Sequence, residues 1–149
     1  MSASWVLPVC ESLHFIGMSM LVGIVGIFDL RLLGVAKRLP IAPLQRLMPW
    51  ALLGFSISLG TGIVFVAANP RQYVGPPLSL SFVAKMLFIG LACLNVIFFY
   101  ASGLKRVVDG VGPGGDAPVA ARVSAVVSLF LWVGVMYWGR ILQFFGKSF

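Results

Sequence analysis

The fold is decided first by residues 5–30, which read WVLPVCESLHFIGMSMLVGIVGIFDL. Three ionisable side chains, Glu11, His14 and Asp29, interrupt an otherwise apolar run. A helix rises about 1.5 Å per residue, so a run of this length can cross a hydrocarbon layer of about 30 Å. We therefore predict that this stretch is a transmembrane helix.

Three further apolar runs follow, at residues 49–68, 79–101 and 119–145. Hydrophobic residues make up 60% of the 149 residues and charged residues 10%, whereas a soluble domain carries about 25% charged residues. A soluble domain of this size could not bury so much apolar surface. We predict an all-α fold, an integral membrane four-helix bundle of left-handed packing, in which residues 1–149 form a single transmembrane domain.

The formal net charge of +7 does not indicate nucleic-acid binding, because the basic residues are dispersed around helix ends. Membrane lipids are the expected partners of these charges. The two cysteines, Cys10 and Cys93, are far apart in the sequence, so they predict neither a disulfide framework nor a metal site.

Basic residues in the loops predict the orientation of the bundle. The first loop, residues 31–48, contains no acidic residue and four basic ones: Arg31, Lys37, Arg38 and Arg46. The third loop contains Lys105 and Arg106 and lies on the same side in a four-helix topology. By the positive-inside rule we expect both loops in the cytoplasm and both termini outside, with the chain in the inner (cytoplasmic) membrane as a multi-pass protein.

Four ionisable residues lie well inside the predicted spans, Glu11, His14, Lys85 and Arg140, whereas Asp29 and Arg122 lie nearer the cytoplasmic ends of their spans. A charge at the centre of a spanning helix costs roughly 2.5 to 3.5 kcal/mol on insertion scales, so it normally faces a partner or a cavity. Counted along the helices, the acid and the two cations lie roughly 8 to 9 Å inside the outer boundary. We expect all four side chains to share one space near the outer leaflet, either inside the bundle or at a subunit interface.

The histidine lies one helical turn deeper than Glu11 on the same face. An imidazole at this depth, below two basic side chains, is the arrangement that a haem requires, because the imidazole can ligate iron and the cations can pair with propionates. We expect haem b to be held by His14 as the metal ligand and by Lys85, Arg140 and Glu11, with Gly17 and Gly90 leaving room for the macrocycle. The expected function is electron transfer or haem-linked oxidation, which would make the protein a membrane oxidoreductase.

A purely structural interpretation of the same residues, without a cofactor, stays open. Glu11 can form a buried ion pair with Lys85 or Arg140 that orders the helices, and His14 can hydrogen-bond a neighbouring serine or asparagine. The protein is then a non-catalytic membrane module that binds lipid or a protein partner. Asn95 and Arg122 are expected to form a second polar site near the cytoplasm, with Asp29 as the partner of Arg122. Copper handling is disfavoured because Cys and Met are not clustered.

Two stretches resemble known proteins. ESLHFIGMSMLVG, residues 11–23, looks like the first helix of small bacterial four-helix membrane proteins related to the HemJ-type protoporphyrinogen oxidases and to CopD-like proteins. In the HemJ type a first-helix histidine ligates haem b, and His14 matches it. FVAKMLFIGLACLN, residues 82–95, is similar to the start of the third HemJ helix, where Lys85 matches a functionally required lysine.

Three other stretches more closely resemble an uncharacterised family of such small proteins: FDLRLLG at 28–34, TG at 61–62 and SLFLWVGVMYWGR at 128–140. The chain departs from the HemJ type in two ways. The third helix offers Asn95 where that type has a further histidine, and the acidic signature of the fourth helix is absent. The resemblance therefore implies attachment of haem through His14, and not protoporphyrinogen oxidation.

His14 is the only histidine in the chain. Two imidazoles on one iron would require a second subunit at a symmetric interface, so we expect a homo-oligomer. Otherwise the iron is five-coordinate, or a thioether from Met18, Met86 or Met136 completes its coordination. An electron-transfer partner is also implied.

Overall fold

Helices make up most of residues 5–74 and 78–146, the part that the computed structural model describes, and no strand occurs there. In chain order the helices are α1 (Val6–Leu33), α2 (Ile41–Arg46), α3 (Met48–Ala68), α4 (Pro70–Val74), α5 (Leu78–Ala101), α6 (Leu104–Asp109) and α7 (Val119–Gly146).

Four segments are long and apolar enough to cross a membrane: Val6–Leu33, Ile41–Ala68, Leu80–Ala101 and Val119–Phe144. The second span includes the short α2, so it begins earlier than the predicted residues 49–68. Many large apolar side chains on these helices face outward; Leu80, for example, is 73% exposed. Such extensive apolar surface requires lipid around it. The prediction of an all-α, multi-pass membrane protein is confirmed at this level.

One end of the bundle is closed by a buried arginine. α1 ends at Gly34, which adopts a left-handed conformation with φ of 91°. The preceding Arg31 is only 1% exposed. Its guanidinium donates hydrogen bonds to the carbonyl oxygens of Leu39 at 2.6 Å, Gly112 at 3.3 Å and Gly115 at 3.4 Å. These bonds tie the first loop to the third, so both loops lie at the same end of the bundle.

An ion cluster on the surface adds to this connection. The Asp116 carboxylate lies 2.6 Å from the Lys37 ammonium and 3.1 Å from the Arg122 guanidinium. The hydrogen bond from Lys37 lowers the pKa of Asp116 below its ordinary value. Arg122 therefore pairs with Asp116, and the expectation that Asp29 is its partner is wrong. Asp116, the acidic residue that pairs with Arg122, lies in the loop before α7. It also forms an ion pair with Lys37 of the first loop.

The helices pack as two close pairs, α1 with α3 and α5 with α7, which meet mainly through α1 and α7. A Cβ atom on Gly17 would lie 2.6 Å from the carbonyl oxygen of Gly54, so the backbones of α1 and α3 touch there. In the second pair, Phe88 packs directly on Gly134. Gly17 thus serves helix packing and does not leave room for a cofactor. By contrast, α3 and α5 make little direct contact, and a seam runs between them.

Candidate functional site

His14 is held by a hydroxyl group on the neighbouring α3. Its Nδ1 atom lies 2.8 Å from Oγ1 of Thr61. The single hydroxyl proton of Thr61 is directed to backbone carbonyls, to that of Ile57 at 2.7 Å or that of Ser58 at 3.2 Å. With the hydroxyl proton on a carbonyl, we assign the Thr61 oxygen as the acceptor of the ring N–H, which places the proton of the neutral imidazole on Nδ1. The lone pair of Nε2 is then free for a ligand.

Two cavities adjoin His14. The central cavity has a volume of about 410 Å³ and is lined by residues of all four long helices, including Phe65 and Phe82. The side cavity, also about 410 Å³, lies between α1 and α7 and includes Met136 and Gly139 in its wall. His14 and Lys85 line both cavities. The Phe65 ring packs edge-on against the imidazole, with a centroid distance of 5.6 Å. Each volume lies within the range of about 300 to 1,000 Å³ for small-molecule sites.

Lys85 projects from α5 towards α7 and crosses the boundary between the cavities. Its Nζ atom would lie 3.5 Å from a Cβ atom on Gly139, so the glycine lets the ammonium lie close to the α7 backbone. The side chain is half-buried. Within the described residues its ammonium forms neither an ion pair nor a hydrogen bond. A half-buried cation without an acidic partner is suited to receive an anionic group of a ligand.

The other two residues of the predicted cluster behave differently from one another. Arg140 is exposed but joins His14 and Lys85 in lining the side cavity. Glu11 is exposed and lies in neither cavity wall. Its charge acts on Tyr73, whose pKa is raised first by burial and second by the Glu11 carboxylate. Three of the four predicted residues therefore share one space, and Glu11 lies outside it.

Neither of the two structural alternatives, an ion pair of Glu11 or a hydrogen bond of His14, accounts for all four residues of the cluster. In the described part of the chain, Glu11 makes no ion pair with Lys85 or Arg140. His14 does make interhelical hydrogen bonds: its ring bonds Thr61, and its backbone carbonyl accepts a hydrogen bond from the Ser58 hydroxyl at 3.4 Å. The sequence contained a signal for this contact, since a threonine in an apolar span is a usual hydrogen-bonding residue between helices.

The methionines that were considered as second iron ligands all border the site. Met18 lines both cavities, Met86 the central one and Met136 the side one. Met18 lies one turn from His14 on the same helix, so the two side chains cannot lie on opposite faces of a plane. Met86 on α5 and Met136 on α7 project from helices across the cavities, and they are the better candidates.

A third cavity, of about 650 Å³, lies nearer the loops, where the sequence predicts a second polar site; Asn95 and Asp29 of that predicted site line the cavity, and Arg122 does not. We call it the loop-end cavity. Asn95 and Ser124 form a reciprocal pair on its wall, with Nδ2 of Asn95 3.0 Å from the Ser124 carbonyl and Oγ of Ser124 3.0 Å from Oδ1 of Asn95. Ser128 and Asp29 line the same space. The spacing of Ser124 and Ser128 on one face of an apolar helix was the available signal for it.

No group of three or more His, Cys, Asp and Glu residues that could hold a metal ion occurs in residues 5–74 and 78–146. Comparisons of the chain with protein-family models, with curated proteins and with solved structures found no match.

Proposed function

We propose that this chain is a haem b-binding protein of the inner (cytoplasmic) membrane, in which His14 is the axial ligand and the bound haem serves electron transfer or haem-linked oxidation. The observation that carries the proposal is the hydrogen bond between Nδ1 of His14 and Thr61. Metal-ligating histidines almost always donate their other ring N–H to a protein group, which orients the ring and raises its basicity. Here that donation leaves Nε2 as the ligand atom beside two cavities.

The charges around the cavities support the same assignment. Lys85 and Arg140 bring two cations to the side cavity, and no acidic residue lines it. Two carboxylates, such as the propionates of haem b, would supply the missing counter-charges through charge-assisted hydrogen bonds. Glu11 lies outside the cavities and carries the same sign as a propionate, so we leave it out of the set that holds the cofactor.

The donors that line the central and side cavities suit a haem iron better than a bare metal ion. One imidazole is sufficient for a haem iron, which receives its other four nitrogens from the macrocycle, whereas a bare metal ion would need more protein ligands. Met86 or Met136 would complete the coordination within one chain. Two His14 side chains would do so only in a homo-oligomer with a symmetric interface.

We further propose that both termini lie outside and that the loop end of the bundle faces the cytoplasm. The Arg31 guanidinium is buried and donates its hydrogen bonds to loop carbonyls. Asp116 forms ion pairs with Lys37 and Arg122. The exposed Arg38, Arg46 and Arg106 remain at this end. Their excess favours the cytoplasmic side. A reporter fused after Phe149 should be active only when it is an exported type, and activity of a cytoplasmic reporter there would reverse the orientation.

A second candidate function has one observation in its favour. The bond between His14 and Thr61 joins α1 to α3 one turn from the contact between Gly17 and the α3 backbone. In this second candidate, the hydrogen bond holds the two helices together and has no other role. The protein is then a non-catalytic membrane module that binds lipid or a protein partner. This candidate leaves the two unpaired cations of the side cavity without a role.

The absorption spectrum separates the two candidates. The purified protein, expressed with ample haem, should show a Soret band that His14→Ala abolishes or strongly weakens. Ser12→Ala is a matched control, because Ser12 lies on the same helix and bonds only the Pro8 carbonyl at 3.0 Å. A colourless wild-type protein that elutes as a folded species would exclude the haem proposal and leave the second candidate.

A further inference from the structure

The loop-end cavity is distinct from the space around His14. Leu21, Phe55 and Trp132 border both the central and the loop-end cavities, and the rings of Phe55 and Trp132 pack edge-on with centroids 6.4 Å apart. This aromatic pair separates the two spaces along the seam between α3 and α5. Neither His14 nor Lys85 lines the loop-end cavity.

The cavity wall contains one acidic residue and no basic one. Asp29 is 4% exposed, and its Oδ2 atom is buried without a hydrogen-bond partner. The Ser128 side chain is the group beside its carboxyl. Two arginines at this end of the bundle are engaged elsewhere: Arg31 donates to loop carbonyls and Arg122 binds Asp116. A buried carboxylate whose hydrogen-bond partner is an uncharged hydroxyl still lacks a counter-charge, and such groups in a membrane protein commonly mark a ligand or ion site.

Most of the remaining wall is aromatic or apolar. Five aromatic rings line it: Phe28, Phe55, Phe99, Tyr100 and Trp132. The polar pair Asn95 and Ser124 is satisfied internally and does not compete for a ligand. Aromatic faces attract cations, and the attraction is greater where water is excluded. An acid among aromatic rings therefore selects a positively charged group attached to an apolar body.

The cavity is open to the lipid side of the bundle. Leu52 of α3 and Ile97 of α5 line it, and they are 66% and 60% exposed. They lie on either side of the seam where α3 and α5 make little contact. A ligand can therefore enter sideways from the bilayer without passing through the loops, which Arg31 closes.

We propose that the loop-end cavity binds a lipophilic ammonium or other organic cation that partitions into the bilayer, with Asp29 as its counter-ion and the aromatic wall around its apolar body. The proposal does not depend on haem. A ligand of this class forms with Asp29 the ion pair that no described residue forms. Its apolar body fills the space between α3 and α5.

Tetraphenylphosphonium is a suitable probe, because it is a permanent cation with an apolar aromatic body. Equilibrium dialysis of the purified full chain in nanodiscs of neutral lipid should show saturable binding of one probe per chain. Asp29→Asn, which is isosteric, should weaken binding by more than about tenfold, because the ion pair is lost in a site with little water. Glu11→Gln, at an acidic residue of α1 outside the cavity, and His14→Ala should leave binding unchanged.

A measurement on the wild-type protein covers the case in which Asp29→Asn does not fold. Triphenylphosphine oxide is neutral and of similar apolar shape, so it should compete with the labelled probe far less well than unlabelled tetraphenylphosphonium. Equal competition by the neutral compound, unchanged binding to a folded Asp29→Asn variant, or a wild-type protein without saturable binding would each overturn the proposal. Loss of probe binding in His14→Ala would place the site around the histidine instead.

Discussion

The contact between Thr61 and His14 offers the sharpest test of the proposed site, through the nearly isosteric substitution Thr61→Val. The hydroxyl group accepts the hydrogen bond from Nδ1 at 2.8 Å, and a methyl group in its place cannot. The imidazole then loses the group that sets its tautomer and orientation. His14 itself remains present, so the ligand atom is kept while its positioning is removed.

The expected magnitude follows from two known effects. Removal of a hydrogen-bonding group behind a metal ligand usually weakens metal affinity by about 10- to 100-fold, which corresponds to about 1.4 to 2.8 kcal/mol. A side-chain hydrogen bond between membrane helices contributes about 0.6 kcal/mol on average and up to about 1.7 kcal/mol to stability. The variant should therefore fold, because α1 and α3 keep their backbone contact at Gly17 and Gly54.

The assay is titration of the apoprotein with haem, followed by the growth of the Soret band. Thr61→Val should raise the dissociation constant of haem by about 10- to 100-fold, and Thr61→Ser, which keeps the hydroxyl, should restore most of the affinity. Ser56→Ala is the matched control, since Ser56 also lies on α3 but bonds only the Leu52 carbonyl at 2.9 Å. Equal affinity of the valine variant and the wild type would refute a positioning role for Thr61.

Three further outcomes are expected. Lys85→Met keeps the apolar stem and removes the ammonium, so it should lower haem occupancy, measured as the ratio of Soret to protein absorbance, without abolishing the band as His14→Ala does; unchanged occupancy would exclude a propionate contact. Gly17→Ala places a methyl group 2.6 Å from a carbonyl oxygen of α3 and should reduce stability by about 1 to 3 kcal/mol in unfolding measurements, whereas Gly23→Ala, with nothing within 4 Å, should change it little. The lowered pKa of Asp116 means that its ion pairs stabilise the loop contact above the ordinary carboxyl value of about 3.9 and lose that effect as the pH falls through the lower folded value. Spin-label distances between the first and third loops should broaden in that acidic window and at all pH values in Asp116→Asn, and a distribution that stays the same from pH 7 to well below the ordinary carboxyl value would contradict this.

The site was predictable only in part from the sequence. His14, Lys85 and Arg140 could be selected because charged and imidazole groups are rare and costly in apolar runs. Their shared position around the side cavity agrees with a count of residues along the helices. The same count wrongly predicted that Glu11 shares this space, because depth along a helix does not determine the direction in which a side chain points. Glu11 and Lys85 lie on different helices. Successive side chains of a helix are rotated by about 100°, so only the packing of the helices decides whether these two side chains face each other.

The sequence by itself determined the helical class and the number and length of the apolar spans, since these follow from local composition and the thickness of a bilayer. Only the tertiary structure decided which groups meet. It placed Arg122 on Asp116 instead of Asp29, buried Arg31 among the loop carbonyls, and used Gly17 for the contact between α1 and α3. It also opened the seam between α3 and α5 and left Asp29 facing an aromatic cavity. The physical reason is that lipid surrounds every apolar face equally well, so hydropathy does not choose helix neighbours; close backbone contacts at small residues and a few polar pairs do, and these are contacts between distant parts of the chain.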